Sequence, residues 1–144
     1  MTPRFLLDTS IVSAPVAKEP NRWAVKKLAQ QSGQCAIAAP VWHELIYGAS
    51  RLPIGKRRTA LEDYLERVVR TSFPILPYDD AAAGWHGRER ARLEEDGRTA
   101  PFVDGQIAAI AFTQGLVLVT ANARDFRGFE HLKTEDWTTS PPRP

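Results

Sequence analysis

Leu116-Val117-Leu118-Val119-Thr120-Ala121-Asn122 decides the fold of this chain. Its first four residues are uninterruptedly apolar and rich in valine, as required of a strand covered on both faces of a sheet. Gly115, directly ahead, suits the stop of a preceding helix. That helix opens at Thr99-Ala100-Pro101 and carries Ile107, Ala108, Ala111 and Phe112 as an apolar face of mostly small residues, which permits close packing. Helix followed by buried strand is the repeating unit of a mainly parallel sheet.

The same alternation extends outward in both directions. Phe5-Leu6-Leu7 reads as a buried strand ending at Asp8, and Cys35 to Ala38 as a second. Between them Asn21 caps a helix expected to run through about Gln31, with Gly33 beyond it. Pro40 suits the first turn of the next helix, where its missing N–H costs nothing, and Trp42, Leu45, Ile46 and Ala49 share one face of it. After a break at Pro53 and Gly55, Leu61, Tyr64, Leu65, Val68 and Val69 predict a long helix over 56–70. Phe73 to Leu76 is a third strand, restricted by Pro74 to a sheet edge or a strand start. Asp79 or Asp80 caps a helix bearing Ala82, Trp85 and Leu93, whose charged run from Arg88 to Asp96 is expected on its solvated side. A short last strand falls at Leu132 to Thr134. The fold class is α/β, a mainly parallel central sheet flanked by helices.

Composition narrows the function classes. A chain of 144 residues, 43% hydrophobic and 25% charged, matches one soluble globular domain and excludes coiled coil and wholesale disorder. The domain is expected over residues 1–139, with the Pro-rich stretch 140–144 as a loose tail. The longest apolar runs, Ile107 to Phe112 and Leu116 to Val119, fall far short of the roughly 18 residues of a membrane span. Asp8 interrupts the N-terminal apolar run and no small-residue cleavage site follows, so a secretory signal is not expected and a cytoplasmic location is. The single cysteine, Cys35, can form neither an internal disulfide nor a multi-thiolate zinc site. A net charge of +2 does not by itself identify a nucleic-acid partner.

In an open parallel sheet, ligands bind outside the carboxyl ends of the strands. Asp8 follows the first strand, and Thr120, Asn122 and Asp125 follow the Leu116 strand, on the same edge. Glu44, one turn inside the helix after the second strand, and Asp104, in the first turn of the helix from Pro101, can join them. Each acid has a plain structural use: Asp8 as N-cap of a short helix at Ser10 to Ser13, Glu44 and Asp104 as first-turn acids, Asp125 as a turn former with Asn122. Asp104, however, shares a face with Ile107, Ala108 and Ala111, and a carboxylate on a buried face needs a partner. Four acids on one edge repel unless cations lie between them, so a hard-metal site is the economical reading. Oxygen ligands without a histidine or thiolate cage suit Mg²⁺ or Mn²⁺ rather than Zn²⁺. The zincin pattern begun by His43-Glu44 fails at Tyr47, and His43, His86 and His131 read as structural or surface residues.

These residues resemble the PIN-domain ribonucleases, specifically the VapC-type toxins of type II toxin–antitoxin pairs. The likeness rests on Leu6-Leu7-Asp8-Thr9-Ser10, Trp42-His43-Glu44-Leu45-Ile46-Tyr47-Gly48, Asp104-Gly105-Gln106-Ile107-Ala108-Ala109 and Thr120-Ala121-Asn122-Ala123-Arg124-Asp125-Phe126, in that order across nearly the whole chain. It implies a PIN-like three-layer fold and a divalent-metal-dependent endoribonuclease, a toxin that cleaves cellular RNA and is neutralised by a cognate antitoxin. It further implies that Asp8, Glu44 and Asp104 hold Mg²⁺, with Mn²⁺ able to substitute, and that Asp125 contributes directly or through water. Thr120 supplies the hydroxyl common near such sites, with Thr9 and Asn122 in support. The antitoxin is expected to occlude the acidic pocket, and the toxin to dimerise. RNA approaching this pocket needs basic groups at its rim, for which Lys56, Arg57, Arg58, Arg88, Arg90, Arg92, Arg98 and Arg124 are candidates. Trp42 and Trp85 are either base-stacking platforms or, at their apolar helical spacing, core.

Three other readings compete. A phosphoaspartate phosphatase of the haloacid dehalogenase type wants a second aspartate two positions after Asp8, where this chain has Ser10. A receiver domain wants an acidic pair near the N-terminus, which is absent. A non-catalytic protein-binding module leaves the carboxylate on the Ile107 face without a reason.

Overall fold

The computed structural model describes residues 2–141, so most of the expected tail lies outside the described residues. Five short strands form one sheet: β1 (Phe5–Leu7), β2 (Cys35–Ala38), β3 (Ile75–Leu76), β4 (Val117–Val119) and β5 (Thr134–Glu135). Their spatial order is β3-β2-β1-β4-β5 and every neighbouring pair is parallel. Leu6 pairs with Ala36 on one side and Leu118 on the other, so β1 is the centre of the sheet. All residues of β1 and β2 are buried, the pattern of strands with helices on both faces.

The edges differ from the expected strands by a residue or two. Strand β3 begins only after Pro74, whose carbonyl accepts from Ile37 N at 2.9 Å, so the proline joins the ladder through the one group it has. Strand β5 sits two residues later than expected, because the ladder from β4 continues to its carbonyls: Leu118 N donates to Lys133 O at 2.9 Å and Thr120 N to Glu135 O at 3.0 Å.

Among the described residues seven α-helices surround the sheet: α1 (Thr9–Val12), α2 (Arg22–Gln31), α3 (Ala39–Ser50), α4 (Lys56–Tyr64), α5 (Arg70–Ser72), α6 (Asp80–Glu95) and α7 (Phe102–Thr113). Asn21 caps α2 by accepting from Ala24 N, and Asp79 caps α6 by accepting from Ala82 N, both at 2.9 Å. The long helix expected over 56–70 is one continuous run in which Leu65–Val69 is π-helical. Leu65 and Val69 both reach the core while Val68 faces out, and Tyr64 donates to Val12 O at 2.7 Å. Helix α7 is the most deeply set, with Gly105 and Ile107 through Ala111 all buried. It stops at Gly115, whose φ of +69° is a left-handed turn that favours glycine.

The charged run of α6 departs from expectation at one residue. Glu89 is buried, on the face of Ala82, His86 and Leu93. Arg92 binds its carboxylate through two bonds of 2.8 and 2.9 Å, and Glu130 N adds a third at 3.0 Å. These bonds hold the Glu89 carboxyl below its ordinary range despite its burial. Arg92 also donates to Gly128 O at 2.8 Å, so the pair ties α6 to the segment after β4. Among the described residues, no helix is long and apolar enough to cross a membrane.

Candidate active site

The carboxyl ends of β1 and β4 are joined where the site begins. Asp8 N donates to Val119 O at 2.9 Å, placing the aspartate one step beyond the last paired residues. Asp8 caps α1, with Oδ1 accepting from Thr9 N at 2.8 Å, and in the same conformation its Oδ2 accepts from the Thr120 hydroxyl at 2.8 Å. The capping and functional uses of Asp8 are therefore compatible. The expected short helix starts at Thr9 rather than Ser10 because this cap engages the first residue.

Thr120 is fully buried and holds both of its neighbours, donating to Asp8 while its oxygen accepts from Asn122 N at 3.0 Å. Thr9 carries the chain further, its hydroxyl donating to Glu44 Oε2 at 3.2 Å across from α3. A continuous hydrogen-bonded path thus runs from Asn122 through Thr120, Asp8 and Thr9 to Glu44. Asp8, Glu44, Thr120 and Asn122 are singled out by their place in the sequence, and Thr9 by the family resemblance.

Asp104 enters from the first turn of α7. Its carboxyl is pushed up to about 6, first by partial burial and then by the negative charges of Asp8, Asp125 and Glu44. Asp8, Asp125 and Glu44 are therefore all near enough to act on Asp104 at this edge. Asp8 and Asp104 are half-buried, whereas Glu44 and Asp125 are exposed. Among the described residues, none of the four has an ion-pair partner.

Chemically the set fits a hard divalent cation: its donors are carboxylate oxygens, its charge is uncompensated, and the histidines lie elsewhere. Side chains do not close into a ligand shell, since among the described residues no cluster of three or more His, Cys, Asp or Glu is arranged to hold an ion. His86 is buried against Tyr78, whose hydroxyl meets Nδ1 at 2.8 Å, and desolvation holds its pKa below the ordinary value. His43 and His131 are exposed.

None of the expected RNA contacts touches the four acids. Lys56 and Arg57 are exposed in the first turn of α4, Arg88 is exposed on α6, and Arg124 shares a turn with Asp125. Arg58 pairs with Glu62 at 3.0 Å, Arg90 with Glu94 at 3.3 Å and Arg98 with Asp96 at 3.2 Å. Arg92 is committed to Glu89 and Gly128 and is corrected from a rim cation to an internal tie. Trp85 stacks on Phe112 at 4.9 Å, and both Trp85 and Trp42 pack against the core.

The sequence reading missed two exposed aromatic residues. Tyr47, 55% exposed, lies between His43 and Arg51 on the outer face of α3, with the guanidinium 5.3 Å from its ring centre. Phe102, 52% exposed, precedes Asp104 by two residues, and Arg90 lies 5.5 Å from its ring. Tyr47 stands off the apolar face of α3, which is the signal by which it could have been found; Phe102 lies on the side of α7 packed on α6 and is exposed as the first residue of that helix.

A parallel five-stranded sheet with aspartates beyond its two adjacent central strands, a further acid from the first turn of α7 and another from the second turn of α3, defines an α/β domain with an acidic site at the carboxyl ends of its strands. The chain belongs to the PIN-domain family, whose model, described as "PIN domain", matches residues 5–132. It is 34% identical over 136 residues to the tRNA(fMet)-specific endonuclease VapC of Shigella flexneri, an alignment spanning 94% of this chain and 98% of the relative. Among solved structures it is similar to FitAcB from Neisseria gonorrhoeae, with a TM-score of 0.83, 28% identity and coverage of 90% of this chain and 95% of that one. It is also similar to VapBC-5 from Mycobacterium tuberculosis, a member of the VapBC family of toxin–antitoxin systems, with a TM-score of 0.66, 26% identity and coverage of 93% and 98%.

Proposed function

We propose that this chain is a divalent-metal-dependent endoribonuclease, the toxin of a toxin–antitoxin pair, and that Asp8, Glu44, Asp104 and Asp125 hold its Mg²⁺. Mn²⁺ substitutes for Mg²⁺ because both are hard cations that favour carboxylate oxygens. The observation that carries the reading is the buried Thr120 hydroxyl fixing Asp8 at the carboxyl edge of the sheet, with the unpaired Asp104 close enough to feel the charges of Asp8, Asp125 and Glu44. The bound cation supplies charge stabilisation at the scissile phosphate and activation of water.

The protein's own contribution is preorganisation. Thr120 and Thr9 N hold both oxygens of Asp8, so the carboxylate is fixed before any ligand arrives. Thr9 orients Glu44, and Asn122 N orients Thr120. Exposed cations including Lys56, Arg57, Arg88, Arg98 and Arg124 draw the RNA backbone to a site whose acids would otherwise repel it. The catalytic domain spans residues 1–139. Likeness to a tRNA-directed endonuclease makes tRNA the first substrate to try, and likeness to a toxin–antitoxin system supports an antitoxin partner. The homodimer is proposed on the family resemblance alone.

Thermal melting during Mn²⁺ titration tests the metal site. A ligand bound only by the folded state raises stability by RT ln(1 + [L]/Kd). The parent should gain several degrees at saturating Mn²⁺, and Asp8→Asn should not. Equal gains in both, or no gain in the parent, would leave a protein-binding module as the better reading.

A further inference from the structure

Beside α7 lies a cleft of about 230 Å³ whose lining includes His86, Arg90, Leu93, Arg98, Phe102 and Phe129. We propose that it is a subsite for one nucleotide of single-stranded RNA flanking the scissile bond, with the base on Phe102 and the phosphate on Arg98 and Arg90. The proposal rests on the ribonuclease reading and extends it to substrate choice.

Position comes first. Phe102 and Gly105 are three apart on α7 and both lie against His86 of α6, whereas Asp104, two residues after Phe102, is rotated about 200° round the helix from it. The cleft and the carboxylates are therefore separated by roughly the width of one helix, about 10–12 Å with side chains. A strand lying across the first turn of α7 reaches both.

The lining has the chemistry of a nucleotide. Phe102 is a half-exposed ring set in place by the His86 imidazole, 4.9 Å away, and His86 is itself held by Tyr78. A rigid, solvent-facing aromatic surface is what proteins use to stack an unpaired base. Leu93 and Phe129 supply an apolar wall. Arg90 and Arg98 each engage one exposed carboxylate, Glu94 and Asp96, and such surface pairs are worth only about 0–1 kcal/mol, so a phosphate displaces them readily. Planar guanidinium groups beside an aromatic ring favour a phosphate next to a base over an acidic peptide, which has no base to stack.

The test uses the full chain carrying Asp8→Asn, so that RNA is bound without being cut, and a fluorescent single-stranded oligonucleotide followed by anisotropy. Adding Phe102→Leu keeps apolar bulk but removes the ring; it should weaken binding about 10-fold, within the range for loss of one base–aromatic stack. Phe102→Trp should restore it. Against an abasic oligonucleotide of equal length, Phe102→Leu should cost nothing, while Arg98→Ala should weaken both ligands and flatten the salt dependence. Equal binding by Phe102→Leu and its Asp8→Asn background overturns the subsite while leaving the ribonuclease reading intact, as does an equal loss for the abasic strand. Loss of self-association in Phe102→Leu with RNA affinity unchanged assigns the ring to a protein interface and also overturns it. Absence of RNA binding by Asp8→Asn itself removes the ribonuclease reading and the subsite together.

Discussion

Gly105 of α7 lies so close to His86 of α6 that a β-carbon added at Gly105 would overlap the imidazole Nε2. The glycine is required by close approach, since its backbone is ordinary helix. It lets α7 settle onto α6 at the residue next to Asp104. Gly105→Ala should destabilise the protein by about 1–3 kcal/mol, the usual cost of overpacking a core. In chemical denaturation the midpoint should fall. The double variant with His86→Ala should lose less than the sum of the single losses, because the smaller side chain vacates the space. Strict additivity would show that the contact is not the cause.

Thr120 is the buried hinge between Asp8 and Asn122, and its hydroxyl is the only part of it used by the site. Thr120→Val keeps the shape but leaves the Asn122 N–H without its acceptor and one Asp8 oxygen without its donor. The expected cost is about 1–3 kcal/mol in stability. RNA cleavage should fall at least 10-fold in kcat with KM nearly unchanged, and Thr120→Ser should recover most of both. A Thr120→Val variant with parental kcat would remove the hydroxyl from the account.

The repulsion gathered on Asp104 makes a signed pH prediction for the metal-free protein. Its folded pKa is raised from 3.8 to about 6, so the folded state favours the protonated form. The stability this group contributes is fully present below its unfolded pKa and is lost as pH rises through about 6. In EDTA, Asp104→Asn should therefore melt above the parent at neutral pH, by an amount on the order of 1 kcal/mol after solvent screening, with the two curves converging toward pH 3.8. Melting curves across this pH range decide it. A variant less stable than the parent at neutral pH would mean that Asp104 has a compensating partner.

Much of this was legible in the sequence because it is local. The all-apolar β1, β2 and β4 and the caps at Asn21 and Asp79 are set by neighbours within a few residues, and the sheet-edge rule then places Asp8 and Thr120 side by side although 112 residues separate them. What escaped depends on contacts between distant segments. Glu89 looks like one more charge in a solvated run, and only the fold brings Arg92, Gly128 and Glu130 around it. The π-helical turn at Leu65–Val69 leaves no mark on the apolar spacing, which reads as ordinary helix. The exposure of Phe102 is equally non-local, since it depends on how α7 meets α6 at its first turn.

Cleavage of RNA by the purified chain, free of any partner, tests the central claim most directly. With Mg²⁺ or Mn²⁺, the parent should cut tRNA or total cellular RNA, EDTA should stop the reaction, and Asp8→Asn and Asp104→Asn should each lose it while remaining folded. Equal cutting by the parent and both variants would contradict the account, because the chemistry would then lie outside the four acids at the sheet edge.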